Sequence, residues 1–214
     1  MLIHPWDAPT DDGEWRTWLT GHDFGQLAVN GQDGAAPLVQ PAHFLYDPAP
    51  GEYGEALLHL ARANPVWPAL AANARVTLSV VDDYVFVPGP WHAPVDEPAE
   101  HGVPTSFYAA VQLLAVAHLV DDPEQRADLL RRQVAHFQPA GGTAPVVPGQ
   151  EPFGRMLPGI RGIRLEITAV RAKFKFGGNK PAAVRRRVGG LLAERADPRD
   201  GAARAHQLRA DGGR

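Results

Sequence analysis

LLHLARANPVWPALAANARVTLSVV, residues 57–81, decides the fold of this chain. Its apolar opening reads as a strand, a short helix opens near Asn64 to Trp67, and the β-branched run after Asn73 reads as another strand. A strand that turns directly into a helix start is a place to hold a phosphate, because the first backbone N–H groups of a helix have no partner within it. His59, Arg62 and Asn64 supply one potential cation, one permanent cation and amide donors at that turn. The same Arg and Asn also serve a simpler purpose, capping the helix and solvating the turn, and the stretch alone does not choose between the two.

Outward from this stretch, strand-like segments bounded by turn residues fall at 24–29, 38–46, 55–60, 75–81, 84–87, 105–119 and 160–168. That is enough for a barrel. The segment 105–119 is apolar at nearly every position, so as a strand it is buried on both faces or bent across two sheets. Its Ala and Leu content favours a helix, but Phe107, Tyr108, Val111, Val116 and Val120 weigh towards strand. Asp82 and Asp83 sit where a strand-to-strand turn is expected and are given no catalytic role.

Three helices are expected. Residues 11–19 form a surface helix carrying Trp15 and Trp18, with acidic residues at its start. Asp122, Pro123 and Gln125 make an N-cap, a proline at the first helical position and a third-position partner. The helix they start should turn Ala127, Leu130, Val134 and Phe137 inward and Arg126, Arg131 and Arg132 towards water. Pro181 starts a C-terminal helix with Val184, Val188, Leu191 and Leu192 on one face. The Pro- and Gly-rich loops 91–103 and 139–153 are candidate covers over a site. The domain reading is a barrel domain at 1–176, with a helical insertion at about 122–138, and a basic helical extension at 177–214.

Composition removes several functions. With no cysteine, the chain has no disulfide, thiolate nucleophile or thiolate metal site. No signal peptide or membrane span is legible, so a cytoplasmic location and no membrane partner are expected. Nine histidines show no metal-binding spacing, and His92 and His101 are read as solvated loop residues, so no metal site is assigned. No Gly-x-Ser-x-Gly, Walker or dinucleotide-binding spacing occurs, and no catalytic residue is named. Net charge is −3, yet residues 1–170 hold 9 Lys and Arg against 20 Asp and Glu while 171–214 hold 12 against 4. Arg185, Arg186 and Arg187 in that basic end either touch DNA or solvate a helix face, and no aromatic interleaving supports the former.

HLARANP at 59–65, Trp67, NARV at 73–76, Trp91, VPT at 103–105 with Tyr108, the Asp122-capped helix, GIRGI at 159–163 and KFKF at 173–176 with Asn179 occur in an order that resembles a known family. These are the FMN-binding split barrels related to pyridoxamine-phosphate oxidase, and within them the PaiB-like FMN-binding negative transcriptional regulators. The resemblance implies a mainly β fold with α additions: a six-stranded antiparallel split β-barrel flanked by helices, dimerising with flavin at the subunit junction. It places the FMN phosphate near Arg62, Ala63 and Asn64, with His59 close by. It gives Thr105 a hydroxyl role towards the ring or ribityl chain, and Trp91 a role covering an apolar ring face. Of Lys173 and Lys175, one is expected to line the site or pair with a carboxylate, the two not sharing a pocket unless the strand bends.

Departures fall around the ring. Gln40-Pro41-Ala42-His43 replaces a Thr-His-aliphatic-Pro run, Pro88 and Pro90 stand before Trp91 where relatives carry serines beside the Trp, Ser106-Phe107 replaces Trp-Asn, and Gly177-Gly178 replaces Ser-Gln. Reduced FMN affinity is the expectation. By resemblance the function is that of a flavin-dependent sensor or regulator. An FMN-dependent oxidoreductase using NAD(P)H is the alternative, and a haem-binding or ligand-free scaffold the second.

Overall fold

The computed structural model describes residues 1–212; the last two residues of the C-terminal extension lie outside them. Seven strands form one sheet in the order β2-β1-β5-β6-β7-β4-β3. In chain order these are β1 (Phe24–Val29), β2 (Leu38–His43), β3 (Leu45–Asp47), β4 (Glu55–Ala61), β5 (Arg75–Val87), β6 (Thr105–Val120) and β7 (Ile160–Lys175). The helices are α1 (Asp12–Thr20), α2 (Val66–Ala72), α3 (Pro123–Phe137), α4 (Phe153–Met156), α5 (Ala182–Arg195) and α6 (Asp200–Gly212). Among the described residues, no helix is long and apolar enough to cross a membrane. The fold is therefore mainly β with helical additions, with seven strands where six were expected.

The chain folds as two compact units. A central unit comprises Arg16–Val80 and Gln112–Arg171, and a terminal unit comprises Met1–Trp15, Val81–Val111 and Ala172–Arg214. In the central unit, β1 pairs antiparallel with β2 and β5, while β4 pairs antiparallel with β3 and β7. The run 38–46 splits because its two halves serve different neighbours: β2 pairs with β1 and β3 with β4, with fully buried Phe44 at the switch. The core here gathers Leu27, Leu58, Leu78, Leu113, Ile163 and Leu165, all fully buried.

Alternation in β5 explains why 75–87 is one strand rather than two with a turn. Val76, Leu78 and Val80 are buried, then Val85 and Val87, so the inward face passes from even to odd positions. Asp83, at φ 55°, is the residue that absorbs the extra step as a bulge does. In β6 every odd position from 107 to 117 is buried while most even positions are half-buried, a strand pattern that overrides the helical propensity of its alanines.

α3 starts where expected, its N-cap Asp122 accepting from Glu124 and Gln125 N–H at 3.0 and 2.9 Å. Its buried face is Arg126, Ala127, Leu129 and Gln133, so the inward stripe is rotated from the expected one and Phe137 is exposed. Buried Arg126 donates from Nη1 to the Ile160 carbonyl at 3.2 Å, while its Nε is buried without a hydrogen-bond partner among the described residues. Trp15 and Trp18 are likewise buried. In the terminal unit Val184, Val188 and Leu192 of α5 are buried as the spacing predicts, and α6, which falls in the expected helical extension but was not delimited as a separate helix, buries Ala203.

Candidate cofactor site

Four expected site residues lie at the β4–α2 turn of the central unit. His59 is on β4, its Nδ1 2.6 Å from Gln133 Oε1, while Gln133 Nε2 donates to the Leu57 carbonyl at 3.0 Å. A carbonyl only accepts, so that second bond fixes the Gln133 amide and makes His59 Nδ1 the donor. Arg62 is half-exposed; its Nε donates to the Pro158 carbonyl at 3.0 Å and its Nη2 stands 3.7 Å from Asp121. Hydrogen bonds from Arg161, reinforced by the charges of Arg161, Arg62 and Arg126, hold the Asp121 carboxyl below its ordinary 3.8. Asn64 is engaged at both ends of its amide, donating to Gln40 Oε1 at 2.8 Å and accepting from Val66 N–H at 3.0 Å. Ala63 is exposed beside them.

The other four expected residues lie in the terminal unit. Lys173, Lys175 and Thr105 line one cavity of about 320 Å³. The two lysines do share it, against expectation: residues two apart on a strand project from the same face, so no bend is needed. Lys175 Nζ donates to Thr105 Oγ1 at 2.8 Å. Lys173 is buried; its Nζ donates to the Leu2 carbonyl at 2.9 Å and lies 3.6 Å from the buried Asp7 carboxylate. Each ammonium is 5.8 Å from the centre of the Tyr108 ring. Trp91 does not line the cavity. Its ring packs beneath the Arg195 guanidinium at 5.0 Å, and its carbonyl accepts from Arg187 Nε at 3.1 Å.

Trp6, Asp7, His92, Phe107, Asn179 and Lys180 also line the cavity; of these the resemblance had drawn in only Phe107, among the ring-side departures, and Asn179, in a motif. His92, read as a solvated loop residue, is 5% exposed. Its Nδ1 is 3.3 Å from the Val103 carbonyl, which makes Nδ1 the donor. Burial, and then the charges of Lys180, Arg187 and Lys175, hold its pKa below the ordinary 6.5. The ring is therefore neutral at pH 7. The legible hint for this group was the charge asymmetry of the chain, which concentrates cations after residue 170. Gly178 has a positional reason: a Cβ there would run into the Trp6 carbonyl, so the absent side chain lets Trp6 close one wall.

Three ammonium groups against one carboxylate, with aromatic walls from Trp6 and Phe107, suit a flat anion. FMN, a planar ring with a polar edge and a phosphate tail, fits that donor set, and the cavity lies within the range of about 300–1,000 Å³ usual for ligand sites. A wider recess in the central unit, about 540 Å³, has Arg75 as its single charged lining residue and offers no comparable convergence.

The architecture and the cationic, aromatic-walled cavity define a β-sheet protein suited to a flavin nucleotide. The chain belongs to the family described as "Putative FMN-binding domain", whose model matches residues 1–169, and its cofactor is FMN. No curated protein matches it. Solved structures with a similar fold include the FAD and haem binding protein from Mycobacterium smegmatis, 19% identical over 85% of this chain and 80% of that one, TM-score 0.60. The flavocytochrome Anf3 from Azotobacter vinelandii is 17% identical over 79% and 70%, TM-score 0.57. A conserved hypothetical protein from Mycobacterium tuberculosis is 16% identical over 88% and 93%, TM-score 0.55.

Proposed function

We propose that the protein seats FMN in the cavity of its terminal unit and works as a flavin-dependent oxidoreductase on the split-barrel plan. The observation that carries this reading is the convergence of Lys173 and Lys175 from one face of β7 on an aromatic-walled space. When bound, FMN supplies reversible electron or hydride transfer, which accounts for the lack of an obvious acid, base or nucleophile. The residues of the chain position and tune it. Lys175 and Lys180 set positive charge where the ligand is anionic, Thr105 orients the Lys175 ammonium, Asp7 holds Lys173, and Trp6 and Phe107 exclude water from the ring.

Visible absorption after reconstitution with excess FMN, followed by stopped-flow mixing with NADH or NADPH, tests the reading. A yellow protein whose chromophore bleaches is the expected result. No bound chromophore ends the FMN reading, and a Soret band would replace it with haem. The homodimer with flavin at its junction belongs to the same proposal and is checked by light scattering with and without FMN.

A flavin-dependent regulator of the PaiB-like kind is the second reading, favoured by exposed Arg186, Arg199 and Arg204 in the C-terminal helices and their connector. Against it, Arg185 donates to the Lys180 carbonyl at 2.7 Å, and Arg187 donates to the carbonyls of Trp91 and Ala93. A gel shift on the protein's own upstream DNA, together with a flavin inert to nicotinamides, would decide for regulation.

A further inference from the structure

We propose that His92 is a specificity-determining residue of the terminal-unit cavity, offering its Nε2 lone pair to a ring N–H of the bound ligand. The inference rests on the FMN reading and assigns the edge by which the ring is recognised. The cavity is rich in donors: Lys173, Lys175, Lys180 and Asn179 all line it. Side-chain acceptors are few and mostly engaged. The Asp7 carboxylate lies against Lys173 at 3.6 Å, and Thr105 Oγ1 accepts from Lys175 at 2.8 Å.

His92 is different. Because Nδ1 carries its proton to the Val103 carbonyl, the neutral ring has its lone pair on Nε2, and that atom has no protein partner among the described residues. Burial, and then the surrounding cations, hold its pKa below the ordinary value, so Nε2 accepts rather than donates at neutral pH. The ring is held in place. It lies 5.6 Å from the buried Phe107 ring, and Arg187 of α5 donates to the carbonyls of the flanking Trp91 and Ala93.

A cavity that combines several donors with one neutral acceptor has the groups that an edge presenting carbonyl, N–H and carbonyl requires. The pyrimidine edge of an isoalloxazine has that sequence, with N3–H in the middle. A buried acceptor rejects a ligand that cannot donate to it, because the lone pair is then stripped of water with nothing in return.

The test compares FMN with FMN methylated at N3, by fluorescence titration of the full-length protein. The wild type is expected to bind FMN roughly 5- to 30-fold more tightly than the methylated form, the range set by one hydrogen bond and the cost of leaving its acceptor unmet. His92→Phe should still bind FMN but discriminate less than about twofold, and His92→Gln, which restores a carbonyl acceptor, should recover most of the preference. Should His92→Phe fail to fold by circular dichroism, the wild-type and His92→Gln comparisons decide alone. Equal affinities in the wild type, full discrimination in His92→Phe, or lost discrimination in a folded His92→Gln overturn the role of His92 and leave the FMN reading standing. Failure of the wild type to bind either flavin overturns both.

Discussion

The β4–α2 turn, where the sequence reading set the phosphate, and the terminal-unit cavity both gather cationic and amide side chains, and they differ in what their polar groups have left to offer. At the turn, Asn64 is hydrogen-bonded at both ends of its amide and Arg62 is shared between the Pro158 carbonyl and Asp121. In the cavity, Lys173 and Lys175 each donate one hydrogen bond, to the Leu2 carbonyl and to Thr105 Oγ1, and an ammonium carries three N–H groups, so donor capacity is left over beside Lys180 and the one buried carboxylate, Asp7. A motif rich in the right residue types can satisfy itself. Affinity belongs to groups whose hydrogen-bonding capacity is incompletely used in the folded chain, so the cavity is the stronger claimant.

Lys175→Ala should break the comparison most sharply. Losing a charge-assisted hydrogen bond costs about 1.5–3 kcal/mol, so FMN affinity should fall roughly 10- to 150-fold by isothermal titration, with little change in thermal unfolding. An unchanged Kd would remove the cavity as the site.

Gly178→Ala probes the wall rather than the charge. Its Cβ meets the Trp6 backbone, a rigid obstacle, and overpacking of that kind costs about 1–3 kcal/mol. A lower Tm and a blue-to-red shift of tryptophan emission as Trp6 is displaced are expected; an unaltered Tm would mean the N-terminal segment yields freely.

Arg62→Ala should weaken FMN binding by roughly fivefold or less, since the side chain is half-exposed and engaged in surface contacts worth at most about 1 kcal/mol. Abolished binding would instead restore the turn as the principal anchor.

Acid titration gives the smallest and most diagnostic difference. His92 has a folded pKa below its unfolded 6.5, so the native state binds fewer protons and the stability this contributes is complete above pH 6.5 and lost as pH falls through the folded value. Asp121 also has a lowered pKa, so its contribution is present above 3.8 and lost only at lower pH, and half-exposure keeps it small. Urea midpoints measured from pH 7.5 to 5 should decline in the wild type and flatten in His92→Gln. Parallel slopes would show that His92 does not titrate in this range.

Much of the architecture was legible because it rests on local rules. The strand-helix-strand reading of residues 57–81, the Asp122 cap and the apolar face of α5 all follow from periodicity and capping, which act within a few residues. What escaped depends on long-range context. The split at Phe44 comes from a change of sheet neighbours, and the buried face of α3 includes Arg126 and Gln133, whose partners, the Ile160 and Leu57 carbonyls, lie far away in sequence. α6 was not delimited within the expected helical extension because DGAARAHQLRADG has a weak apolar stripe and two glycines. Half of the candidate site was read as chemistry and the other half as loop. His92 looks solvated in a run of prolines and acids, and nothing local announces that the Val103 carbonyl and the side chain of Phe107 close over it. The paired lysines were visible, but their shared direction followed from strand geometry that had been misapplied.

Asp83 sets an unusual genetic vulnerability. Its left-handed backbone adds one step to β5, and every residue beyond it faces the side it does because of that step. Losing a single in-frame codon at 82 or 83 would invert Tyr84 to Val87, driving Tyr84 and Phe86 inward and Val85 and Val87 into water. Most amino-acid exchanges at the same two positions leave the count intact, so short deletions there should be purged far more strongly than missense changes.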